Sequence, residues 1–67
     1  MITVTVRHIN DTEGARVGWF KPDELDSVVV AFAKYGIYTE GAEESEHAVS
    51  PNFIVENGEV VFEILVG

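Results

Sequence analysis

The residues best suited to chemistry gather late in the chain. Glu43, Glu44, Glu46 and His47 stand almost side by side, and His8 is the other imidazole of the sequence. Carboxylates beside an imidazole are the raw material of a metal site, but metals demand spacing. Zinc takes three or four rigidly held ligands, and the H-E-x-x-H helix pattern is absent. Calcium loops alternate Asp or Asn around a Gly with a late Glu, which neither residues 10–14 nor residues 40–46 provide. His8 continues the inward side of an alternating strand, the position of a hydrogen-bonded strand-end histidine. Nucleophilic catalysis finds no better footing. Cys is absent, and Ser27, Ser45 and Ser50 lie outside any G-x-S-x-G elbow. Gly14, Gly18 and Gly36 are spaced as turn and cap residues, not as a phosphate loop. An acid–base carboxylate pair needs a cleft that raises one pKa, and a domain this small has little room for one beside its core. The expectation is a protein that is not an enzyme and holds no metal or cofactor. A metal-binding protein or small enzyme built on His8, His47 and neighbouring acids stands as a third reading.

What the acids offer instead is charge. The chain has 67 residues, twelve of them Asp or Glu against four Lys or Arg, for a formal net charge of −8. Residues 1–34 hold all four basic residues and are nearly balanced. Residues 35–67 hold seven acids and no Lys or Arg. Such a balance repels phosphate backbones and anionic lipid, so direct nucleic-acid or membrane binding is not expected. It suits a basic protein surface, because fixed carboxylates steer a cationic partner and speed its association. The candidate partner-binding residues are Glu40, Glu43, Glu44 and Glu46 in a loop, then Glu56, Glu59 and Glu63 on a hairpin. Glu56 and Glu59 face each other across a two-residue turn, and like charges so placed oppose folding. In size, charge and lack of Cys the chain resembles the small acidic inhibitors encoded by phages and mobile elements, including those of nucleases and restriction systems. That resemblance implies an inhibitor or regulator that imitates nucleic-acid phosphate.

The elements that must position these acids are legible in the pattern. A hydrophobic fraction of 46% supports one folded domain over residues 1–67 rather than a disordered chain. Ile2, Val4, Val6 and His8 alternate with Thr3, Thr5 and Arg7 as a strand. Residues 10–14 read as a turn and residues 16–20 as a second strand, with Gly18 marking a bulge or a close approach. Pro22 opens a helix with Asp23 and Glu24 at its positive end and Phe20 and Leu25 as a hydrophobic staple. Leu25, Val28, Val29, Phe32, Ala33 and Tyr35 share its inward face, Val30 is left outside, and Gly36 ends it. A short strand is expected at residues 37–39, followed by the acidic loop at residues 40–46. Asn57 and Gly58 form a type I′ turn that pairs Val55 with Val60, Phe53 with Phe62 and Pro51 with Ile64 on the core side. Ile54 with Val61, Asn52 with Glu63 and Glu56 with Glu59 occupy the other side.

The expected fold is α+β: an antiparallel sheet of four or five strands with one amphipathic helix on one face, ordered ββαβββ or βαβββ. A single helix leaves the second face open, so Ile54, Val61 and Leu65 are candidate oligomer-interface residues, and a homodimer is a second functional reading. Met1 leads straight into a strand pattern without a leader or a membrane span, and with no Cys a cytoplasmic location is expected.

Overall fold

The computed structural model describes residues 1–38, 41–47 and 49–67. The chain forms β1 (Ile2–His8), β2 (Ala15–Phe20), a 3-10 turn (Pro22–Glu24), α1 (Leu25–Tyr35), β3 (Val49–Glu56) and β4 (Glu59–Val66). The class is α+β with one helix, as the sequence implies. The four strands lie in the order β2-β1-β4-β3. Both hairpins are antiparallel, but β1 and β4 run parallel, so the sheet is mixed rather than purely antiparallel. The helical crossover between the hairpins is what permits this parallel pairing. β1 and β4 carry unbroken apolar alternation and take the centre, whereas Gly18 and Pro51 sit on the outer strands. Pro51 falls at a non-hydrogen-bonded position of the β3–β4 ladder, where its missing N–H would point away from β4.

Of the strand expected at residues 37–39, the described part forms one bridge, at Ile37. The Ile37 N–H donates to the Glu46 carbonyl at 2.7 Å and the Glu46 N–H donates to the Ile37 carbonyl at 2.8 Å. This pair closes the acidic loop at its base. Thr39, Glu40 and Ala48 lie outside the described residues.

A β-bulge shifts the β1–β2 register between Val4 and Thr5. Val4 pairs with Gly18 and Thr5 with Arg16, leaving Val17 as the extra residue. Before the bulge Phe20 and Gly18 face the helix; after it Arg16 turns to the open face and lies 4.3 Å over the Trp19 ring. Without the extra residue Arg16 would oppose Val6 on the helix side.

α1 begins as the staple implies. The Lys21 N–H donates to the Glu24 carboxylate at 2.8 Å, and Phe20 packs against the core cluster that contains Leu25. Val4, Leu25, Phe62, Ile64 and Val66 form that cluster, with Val28, Val29, Phe32 and Ile37 around it. Tyr35, expected inward, is 72% exposed, since it falls in the last turn, where the helix runs past the core. Gly36 stops the helix at φ 83°, and a Cβ there would meet the His47 ring at 2.8 Å. The β3–β4 register matches every pair the turn dictates, and Asn57 and Gly58 both hold positive φ as a type I′ turn requires. Among the described residues no helix is long and apolar enough to cross a membrane.

The distribution of apolar surface differs from expectation. Val61 is only 7% exposed in the single chain, and Ile54 and Leu65 are half-buried. Val61 lies between Thr3 on β1 and Ile54 on β3, which close over it. Exposed apolar side chains lie on both faces, with Trp19 53% exposed opposite Thr3 on the open face and others on the helix side. Phe53, Val55 and Val60 belong to the outer part of the sheet, which α1 leaves uncovered, and Val30 stands out on the helix as expected.

Candidate partner-binding site

Topology brings segments distant in sequence to one end of the sheet. The end of β1, the turn at residues 10–14, the end of α1 and the bridged loop surround a cavity of about 500 Å³. Its floor is apolar: Val6, Val17, Phe32, Ile37 and Val66. Its rim is acidic: Asp11, Glu13, Glu44 and Glu46. Ala42, Ala15 and Tyr38 complete the wall, and none of the described residues lining it is Lys or Arg. The bulge contributes directly, because it places Val17 at this floor and removes Arg16 from it.

His8 sits at the boundary between floor and rim. Its Nδ1 accepts from the Asn10 N–H at 3.3 Å, and its Nε2 lies 3.9 Å from the Glu46 carboxylate. His47 does different work. Its Nδ1 lies 3.1 Å from the Ala33 carbonyl, in the last turn of α1, and its ring packs against Gly36. A ring N–H in that place satisfies a carbonyl that the helix end leaves without a partner. The two histidines are thus spent separately, one at the cavity and one at the helix end. Among the described residues, no three His, Cys, Asp or Glu side chains are placed to hold a metal ion.

The sequence-derived acids divide among different places. Glu44 and Glu46 line the cavity, and Glu43 is exposed on the same loop. Glu40 lies outside the described residues. Glu56 and Glu59 oppose each other beside the turn, and Glu56 reaches a second, smaller hollow of about 320 Å³ with Glu63, Arg7 and Glu13. Glu63 is not part of a free negative row. The Arg7 Nε donates to it at 3.1 Å and a second guanidinium nitrogen donates at 3.2 Å, a two-pronged pair with Glu63 half-buried. That hydrogen bond raises the Arg7 pKa above its ordinary value. The Arg7 guanidinium also donates to the Asp11 carbonyl at 2.8 Å, tying the turn to the strand.

Asp11 and Glu13 are the functional candidates that sequence reasoning passed over. They lie in a segment read only as a turn, some thirty positions from the acidic loop they join. Glu13 borders both hollows and so links the loop acids to those of the hairpin. Only the parallel β1–β4 pairing makes these segments neighbours. Comparison with known proteins finds no matching family model, no matching curated protein and no matching solved structure.

Proposed function

We propose that this chain is an acidic interaction module that takes a basic segment of a partner protein into the cavity beside the loop. The observation that carries this reading is, among the described residues, the pairing of an apolar floor with a rim of four carboxylates and no lining cation. A Lys or Arg side chain matches both parts, since its methylene stem packs on apolar surface while its charged head stays at the polar edge. The rim works at close range and the wider acid excess at long range, raising the encounter rate with a cationic surface. In its strongest form the module occupies a groove that otherwise holds nucleic-acid phosphate, which makes it an inhibitor of that protein.

A titration with a short oligo-arginine peptide tests the proposal. Affinity should fall steeply as salt rises, because the rim is exposed to solvent. Glu44→Gln with Glu46→Gln should weaken binding about tenfold or more, the range of a lost charge contact or two. Glu63→Gln serves as the control, and should leave affinity unchanged because that carboxylate already belongs to Arg7. Equal losses from both changes would show general charge attraction without a site.

A further inference from the structure

We infer that α1 is also the contact face of a two-fold homodimer, with the axis passing near Val30. Asp26, Val30 and Lys34 are spaced four apart, so they form one stripe along the helix. All three are exposed, and Val30 is the apolar residue that the core leaves out. Two such helices laid antiparallel about Val30 place Asp26 of each chain opposite Lys34 of the other. The pattern is self-complementary, as an isologous interface requires. Among the described residues neither side chain has an ion-pair partner within the chain; the Lys34 ammonium rests 5.2 Å from the Tyr35 ring. Ser27 and Ala31 flank Val30 in a hollow of about 380 Å³ and are small enough to let two helix axes approach to about 8–10 Å.

The chain as a whole also exposes more surface than a compact monomer of its mass: 4801 Å², roughly 600 Å² more than the ~4200 Å² expected. That excess approaches the ~800 Å² that each partner buries in a standard interface. The stripe is continuous with a second hollow, between α1 and β3, because Asp26 and Val30 border both. Phe53, 60% exposed, lies in that hollow and extends the apolar contact. The stripe itself is electrically balanced, with one acid and one base, although the chain as a whole is strongly acidic. The acid-rimmed cavity lies elsewhere, so both contacts are available at once.

Sedimentation equilibrium of the full chain, from micromolar to millimolar concentration, reads the proposal. The wild type should reach the mass of two chains. Asp26→Lys or Lys34→Asp alone should weaken the dimer about tenfold, since each sets like charges opposite one another. The double exchange, carrying both changes, should restore it. Val30→Glu should leave a monomer whose circular dichroism shows the fold intact. A single-chain mass at every concentration overturns the inference, as does a dimer unaffected by Val30→Glu or not rescued by the double exchange.

Discussion

Glu63 and Glu46 are both glutamates read as candidate partner contacts, yet their surroundings set them apart. Glu63 accepts two hydrogen bonds from Arg7 and is held within the sheet. Glu46 closes the loop through its backbone and leaves its carboxylate at the cavity rim beside His8. Charge counting cannot separate the two cases, because the distinction depends on which strand lies next to β4. The Glu56–Glu59 pair was legible, since the turn dipeptide alone sets its register. Like charges directly opposite cost a few tenths of a kcal/mol or more. Glu59→Lys should therefore stabilise the protein by about 0.2–1 kcal/mol, read from a urea unfolding midpoint. No change or a loss would mean that the surrounding acids and solvent already offset the repulsion.

At the scale of elements, the chain announces its helix, its first strand and its second hairpin through local chemistry. Pro22, the Phe20–Leu25 staple, Gly36 and the Asn57-Gly58 turn each specify a boundary without help from the rest of the fold. What stays hidden is pairing across sequence. Nothing local says that β1 lies parallel to β4, and so the cavity and its rim residues Asp11 and Glu13 could not be assembled in advance. The bulge was half legible: Gly18 suggested it, but its consequence, Arg16 outside and Val17 inside, emerges only from the register. The end of α1 offers a sharp test of local design. Gly36 combines φ 83° and ψ 164°, a conformation essentially reserved for glycine, with a histidine ring against its α-carbon. Gly36→Ala should cost about 1–3 kcal/mol by thermal or urea unfolding. A neutral result would mean that His47 and the helix end rearrange freely, and that the loop is not anchored there.

For the whole molecule, the two surfaces differ in kind. One is a concave, acidic end built from the β1–β2 turn and the bridged loop. The other is a charge-balanced, apolar-centred face along α1. The loop also lies at the far end of β1 from the β3–β4 turn, with its acids Glu56 and Glu59, because Thr3 pairs with Val61 while His8 pairs with Val66. The acid excess of residues 35–67 is therefore not one patch, and the acidic cavity gains half its rim from residues 11 and 13. The most direct test of this account is an amide chemical-shift titration of the isotope-labelled protein with oligo-arginine peptide. The largest shifts should fall on His8, Asp11, Val17, Ile37 and Glu46, around the cavity. Shifts spread evenly over every acidic residue, or concentrated at Glu56 and Glu59, would contradict it.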